Sequence, residues 1–321
     1  MTDPPSPAMT QLLDPTTRDT RGPATLVTTF AVVLALLLVV VGGCDSRSPS
    51  GTPTVEEKIA QSTIAGRERL RIGVYEDSPL MGYVENGRRT GFDIDIARGV
   101  AEFLGYRENR IDWVKLTTPE RVPALQKGEV DIVVASFSIT EERKKEVRFA
   151  GPYLVTTQEV MIPSRLAGKI TELGHLRGSR VCVTGASTTK AQLQSEGIQV
   201  ETLNHREDCV RGLLDGTFVA MSSDETILAG FRSRYPDELA IVDMPFSGSE
   251  LLGIAVPHHD PALQDVIGYY LMRNYRDAQE GRSTAWQAAY DNNLGRWLGP
   301  ATQPYPVGVP ELIDRDARSP R

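Results

Sequence analysis

Histidine and cysteine are scarce in this chain of 321 residues, with four of the first and three of the second. His175, His205, His258 and His259 fall in expected loops or turns, and the adjacent pair His258-His259 has no spaced third ligand of the kind a zinc site needs. No metal and no cofactor is expected. G-x-S-x-G, phosphate-loop and H-E-x-x-H patterns are absent as well, which removes the common hydrolase, nucleotide and zinc-protease readings. Positive charge is in deficit: 35 Lys and Arg against 42 Asp and Glu leave a net charge of -7. A phosphate backbone would find little to hold, so no nucleic-acid partner is expected. Repeats of solenoid length are missing too. What remains is a chain long enough for two lobes, each with its own core.

The opening stretch is polar and only weakly basic, with Arg18 and Arg21 against Asp3, Asp14 and Asp19, so Met9 is an alternative start. An uncharged run from Gly22 to Gly43 follows, most apolar between Leu26 and Val41 and ending Val41-Gly42-Gly43-Cys44. A short apolar core followed by small residues is the pattern of a secretory signal and its cleavage site. Small residues directly before a cysteine resemble a lipobox, which implies that residues 1–43 are removed and that Cys44 carries a lipid. The alternative is an uncleaved single-span anchor, since the run approaches bilayer length. Either way the folded part lies on the extracytoplasmic face of the cell membrane. Residues 44–68 read as a polar tether, with a short amphipathic helix over Val55–Ala65, and residues 299–321, rich in Pro and charge, as a disordered tail.

The most informative stretch is Ser136–Tyr153, SFSITEERKKEVRFAGPY. It follows the apolar run Val130–Ala135, which predicts a buried strand of a parallel sheet. Ser136 and Ser138 stand on the loop leaving that strand's carboxyl end, where open α/β sheets bind ligands. Arg143 adds a planar fork that matches a carboxylate. Taken alone, the same residues also fit an ordinary strand-to-helix turn with a solvated Arg.

Three motifs together narrow the choice. Glu141-Glu142-Arg143-Lys144-Lys145 leading to Phe149, Gly151, Pro152 and Tyr153 is one; Gly91-Phe92-Asp93-Ile94-Asp95-Ile96 and Leu125-Gln126-Lys127-Gly128-Glu129-Val130-Asp131 are the others. In this order and spacing, over roughly Leu70–Leu298, they resemble the bacterial extracellular solute-binding proteins of family 3, which bind polar amino acids. The resemblance implies an α/β, two-lobed periplasmic-binding-protein (type II) fold. Each lobe would be a mainly parallel sheet flanked by helices, and two strands would form the hinge. The strand pattern then assigns residues 69–157 and 246–298 to lobe one and 158–245 to lobe two. In lobe one the strands Leu70–Val74, Asp112–Leu116 and Val130–Ala135 alternate with helices, a β-α-β-α-β run that predicts parallel pairing.

An amino acid needs an anion site, a cation site and a pocket for its side chain. Arg143 with Ser136 and Ser138 form the expected anion site. Across the cleft, Gly185-Ala186-Ser187-Thr188-Thr189 offers free N–H groups at a helix start. The family has a Gly-Thr-Thr-like turn here; Ser187 matches its second hydroxyl, whereas Ala186 departs from the first. Asp224 resembles the family's Asp that takes the α-ammonium. The alternative is that it only caps the helix starting at Glu225. Tyr75, Phe137, Thr118 and Arg121 are the candidates for the side-chain pocket. Thr118 and Arg121 stand where dicarboxylate-selective members carry a Ser/Thr and an Arg, although an Arg those members can carry near Tyr75 is absent. With Cys44 lipidated, Cys182 and Cys209 remain as an even pair in an oxidising compartment, which favours a disulfide over a buried free pair.

The expected function is therefore a monomeric, membrane-tethered binding protein for glutamate or aspartate, or for their amides. Its partner is the permease of an ABC importer or a membrane sensor. A cyclohexadienyl dehydratase-like lyase and a lytic transglycosylase on the same fold are the enzymatic alternatives, and neither finds an evident general acid or base here.

Overall fold

The computed structural model describes residues 51–244 and 246–314. Cys44 and the segments read as leader, lipobox and first part of the tether lie outside them.

In chain order the strands are β1 (Leu70–Val74), β2 (Asp77–Ser78), β3 (Gly82–Glu85), β4 (Arg88–Thr90), β5 (Ile111–Lys115), β6 (Ile132–Val133) and β7 (Val147–Thr156). They continue with β8 (Gln158–Pro163), β9 (Val181–Thr184), β10 (Val200–Leu203), β11 (Ala220–Asp224), β12 (Leu239–Val242) and β13 (Glu250–Pro257). One five-stranded sheet runs β5-β1-β6-β13-β7, and a second runs β10-β9-β11-β8-β12. Both are mixed. In each, three neighbouring strands are parallel, β5-β1-β6 and β10-β9-β11, and the next strand, β13 or β8, is antiparallel to them. The chain passes from the first sheet to the second through Thr157, between β7 and β8, and returns through residues 243–249 into β13. These two crossings are the only hinge-like connections among the described residues.

The helix Phe92–Phe103 packs behind the first sheet, with Ile94, Ala97, Val100 and Ala101 buried along one stripe. Gly91 precedes it at φ +120, and a Cβ there would collide with the Met81 carbonyl. Only Gly lets the backbone approach so closely in that conformation. The segment Tyr75–Gly82 supplies β2 of a small hairpin sheet, β2-β3-β4. Gly230, in the second lobe's helix Glu225–Arg234, lies so close to the carbonyl of Pro79 that no side chain fits between them.

The apolar run Val130–Ala135 is buried throughout, yet only Ile132 and Val133 form a ladder. The ends are held otherwise. Asp131 accepts from the backbone N–H of Arg71 (2.8 Å) and pairs with its guanidinium (2.6 Å), while the carbonyls of Ala135 and Ser136 accept from Arg121 at 3.0 and 3.1 Å.

Two expectations about the chain ends are corrected. The polar tether expected through residue 68 is folded from Thr54 onward. Thr54 and Glu57 form a capping box on the helix Val55–Gln61, Lys58 pairs with Asp265 at 2.7 Å, and Asp260 accepts from Thr63. The tail expected to be disordered from residue 299 is packed as far as Asp314. Gln303 donates to the Leu271 carbonyl, Val307 N–H to Gly151, and Ile313 pairs in parallel with Thr54. A few apolar side chains, Val55, Ile64 and Leu312, fix both ends on lobe one. Composition averaged over a polar segment conceals such isolated anchors.

Cys182 in β9 and Cys209 in the helix Arg206–Asp215 form the disulfide, with Cα atoms 5.6 Å apart. It ties the start of that helix to the central sheet of lobe two. Closing a loop of 27 residues should contribute about 3–4 kcal/mol in the chain-entropy account. The Cys182→Ala/Cys209→Ala double variant is expected to lose that much in urea unfolding, and an unchanged midpoint would refute a structural role for the bridge.

Candidate ligand-binding cleft

The carboxyl ends of the parallel strands of both sheets face one narrow cleft. Tyr75 follows β1, Thr118 follows β5, and Ser136 and Ser138 follow β6. From the other side, Ser187, Thr188 and Thr189 follow β9, Arg206 follows β10, and Asp224 ends β11. The cleft therefore lies where the open ends of two α/β sheets meet.

Of the residues expected from the sequence, Tyr75, Thr118, Arg121, Ser136, Ser138, Arg143, Ser187, Thr188 and Asp224 all line this space. Phe137 does not. Its ring lies behind the lining, with the guanidinium carbons of Arg121 and Arg143 at 4.0 and 5.0 Å from its centroid and Phe149 edge-on at 5.0 Å. It supports two cations from an apolar side instead of touching a ligand.

Several of the lining hydroxyls are already engaged. Ser136, held at φ +41, donates from N and Oγ to Asp93 Oδ2, both at 2.8 Å. Ser187 caps the helix Thr188–Ser195 by accepting from Lys190 N–H and donates to the Thr184 carbonyl at 2.8 Å. Thr188 Oγ1 accepts from Gln158 at 2.7 Å. Thr118 Oγ1 lies 3.0 Å from the Tyr75 hydroxyl and accepts from Arg206 at 3.0 Å. The Ser138 hydroxyl makes no hydrogen bond to the described residues, and the first N–H groups of the helix Thr188–Ser195 have no intrahelical acceptor.

Arg121 departs from its expected role. Its Nε donates to the Thr118 carbonyl at 3.1 Å, and its Nη1 is shared by the Ala135 and Ser136 carbonyls. The fork expected to take a distal carboxylate is turned onto backbone, leaving Nη2 alone. Arg121 holds the Ser136 loop in shape. Burial lowers its pKa to about 10. Arg143 bridges the lobes: Nη1 donates to Ser138 O at 2.8 Å and Nη2 to Ala186 O, in lobe two, at 3.0 Å. Ala186 presents that carbonyl from φ +55, a left-handed conformation that costs a non-Gly residue about 1 kcal/mol or more. Burial lowers the pKa of Arg143 too.

Asp224 is 6% exposed, and its carboxylate makes no hydrogen bond to the described residues. It occupies the capping position of the helix Glu225–Arg234 without making a capping bond, so the helix-cap alternative has no geometric support. Burial, then the charge of Glu250, push its pKa up to about 7, against the pull of Arg206, Arg121 and Arg143.

Arg206 and Asp93 join the site without having been expected from the sequence. Arg206 was within reach of the rule that found the others, because it stands three residues past the carboxyl end of β10. Asp93 lies inside one of the quoted motifs, but only the fold shows it bonded to Ser136 and, at 2.7 Å, to the Tyr153 hydroxyl. Burial lifts its pKa to about 6. No group of three or more potential metal ligands occurs among the described residues.

The chain is 28% identical over 279 residues to the glutamine-binding protein GlnH of the ABC transporter of Bacillus subtilis, covering 85% of this chain and 95% of that one. It is 28% identical over 238 residues to the glutamate-binding protein GluB of Corynebacterium efficiens, covering 70% and 79%. Among solved structures, the solute receptor for L-cysteine of Neisseria gonorrhoeae superimposes with a TM-score of 0.67 at 25% identity, covering 75% of this chain and 95% of that one. All three are named for the solute that they bind or receive. Residues 70–282 match the bacterial extracellular solute-binding proteins, family 3, and the chain belongs to that family.

Proposed function

We propose that this protein is a membrane-tethered, extracytoplasmic receptor for glutamate or aspartate that delivers its ligand to an ABC importer. The observation that carries this reading is the pairing of opposites across one cleft. A buried carboxylate with no partner, Asp224, faces the guanidinium of Arg143, which has no carboxylate of its own among the described residues. An α-amino acid supplies both missing halves. Its ammonium sits on Asp224, and its carboxylate sits on Arg143, Ser138 and the N-terminal N–H groups of the helix Thr188–Ser195. Relatives named for glutamine and glutamate binding support a polar amino acid, and the ABC transporter in one of those names supports the importer.

Asp224→Ala and Arg143→Ala are each expected to weaken amino-acid binding by about 3–5 kcal/mol, the cost of leaving one buried charge unmatched. From a micromolar starting point, near 8 kcal/mol, that leaves millimolar affinity or worse. Calorimetry on each variant, with a thermal melt to show that it folds, checks this; unchanged affinity removes that residue from the site.

Binding should also depend on pH in a stated direction. With its pKa near 7, Asp224 is mostly neutral below that value and must lose its proton to receive the ammonium. Affinity should therefore fall by up to about tenfold per pH unit below 7 and level off above it. In the ligand-free protein the sign is the reverse. A carboxyl raised from 3.8 to about 7 favours folding most below pH 3.8, and that advantage is lost as the pH rises through 7. Affinity that stays flat from pH 8 to pH 5.5 would contradict the assignment.

The anchor belongs to the same reading. Cys44→Ala should abolish lipidation at that position while leaving the exported domain folded. Mass spectrometry of the membrane-extracted N-terminal peptide decides the matter. An unmodified Cys44 still joined to Leu26–Val41 would point to an uncleaved anchor.

A further inference from the structure

The cleft contains a third cation, and its surroundings bear on which side chain the ligand carries. Arg206 begins the helix Arg206–Asp215 of lobe two, yet its side chain is packed against lobe one and is 3% exposed. Its guanidinium carbon lies 3.9 Å from the centre of the Tyr75 ring. Nη2 donates to Thr118 Oγ1 at 3.0 Å, and Nη1 pairs with Asp77 Oδ1 at 3.3 Å. Nε is buried with no hydrogen-bond partner among the described residues.

A buried N–H of a charged group is costly to leave unmatched, more so than the ordinary 1–3 kcal/mol or so of a neutral donor. The stacked face and the two engaged nitrogens fix the plane of the fork, so the unmatched donor points in a single direction. The lining as a whole is unbalanced in the same sense, with three guanidiniums, Arg121, Arg143 and Arg206, against the one carboxylate of Asp224. Asp77 offsets Arg206 in part from behind the lining. The other nearby carboxylates are occupied elsewhere: Asp93 by Ser136 and Tyr153, and Glu250 by the side-chain amides of Gln158 and Gln192. A zwitterion leaves the excess of positive charge as it was. A ligand with one further negative charge reduces it, and a basic amino acid increases it.

We propose that Arg206 is the specificity-determining residue of the cleft and that its free Nε, together with Arg121 Nη2, receives the distal carboxylate of an acidic amino acid. This rests on the reading of the cleft as an amino-acid site. It moves the selectivity expected of Arg121 onto a residue of the opposite lobe. Because Arg206 reaches Asp77 and Thr118 across the cleft through Nη1 and Nη2, the side chain that reads the ligand through Nε also holds the lobes together.

The test is calorimetric titration of wild type, Arg206→Gln and Asp77→Asn with glutamate, aspartate, glutamine, asparagine, arginine and lysine. Wild type should bind an acid at least about tenfold more tightly than its amide, roughly 1.4 kcal/mol. Arg206→Gln should bring that ratio to within about threefold. Asp77→Asn weakens the clasp between lobes but leaves the free Nε in place, so it should keep the ratio even if every affinity falls. An acid-to-amide ratio unchanged in Arg206→Gln, with all six ligands weakened equally, would show a clasp without selectivity and overturn the proposal. Tighter binding of a neutral or basic amino acid by wild type would overturn it too while leaving the amino-acid site intact. Failure of wild type to bind any of the six would instead refute the site reading on which it rests. If Arg206→Gln does not fold, Arg206→Lys serves. It keeps the charge without the fork, and an undiminished ratio there counts against the proposal equally.

Discussion

The structure turns on one carboxylate. Asp224 ends a central strand of lobe two, is buried, and accepts no hydrogen bond from the described residues. An ionised group in such a place is tolerated only when an opposite charge arrives or a proton stays, and its pKa near 7 expresses that balance. The rest of the cleft is arranged to make a ligand the better solution. Arg143 comes from lobe one to meet lobe two at Ala186, and the helix Thr188–Ser195 points its first N–H groups at the same space. The charges that lack a partner belong to different lobes, which the chain connects through two crossings, at Thr157 and residues 243–249.

Behind the lining stands a set of groups that never need touch the ligand. Asp93 holds Ser136 by backbone and hydroxyl and also takes the Tyr153 hydroxyl, whose own carbonyl accepts from Trp286 Nε1 at 2.6 Å. Arg121 ties the carbonyls that precede and follow the same bend. The strained backbone at Ser136 is therefore fixed from the helix Phe92–Phe103, from β7 and from the helix Arg121–Gln126. A loop so fixed can present Ser138 and Arg143 without rearranging when a ligand arrives, which lowers the entropic cost of binding.

Much of this was legible in the sequence because it follows from strand direction. The apolar run Val130–Ala135 announced a buried strand, and the rule that ligands gather at carboxyl ends led to Ser136, Ser138, Ser187 and Asp224. The disulfide was legible for another reason: with Cys44 expected to be lipidated, Cys182 and Cys209 remained as an even pair. What the sequence could not show was which polar groups face inward and which are bonded to one another. Phe137 sits between two serines that line the cleft, yet it points behind the lining. Arg121 was placed in the right region but turns its fork onto carbonyls, a preference visible only once the Ser136 bend exists. Arg206, three residues past the carboxyl end of β10, was within reach of the same rule, but only the fold shows its side chain reaching Asp77 and Thr118 of the other lobe. The packed ends escaped because three apolar anchors in two polar segments fall below what composition can resolve.

On the function proposed above, the cleft between Arg143, Asp224 and Arg206 is matched to an amino acid with a second carboxylate. The most direct measurement is the mass of the small molecule released when freshly purified, undialysed protein is denatured. Glutamate or aspartate, in near-stoichiometric amount, is the predicted result. Release of arginine, lysine or a compound without an α-amino acid group would contradict it.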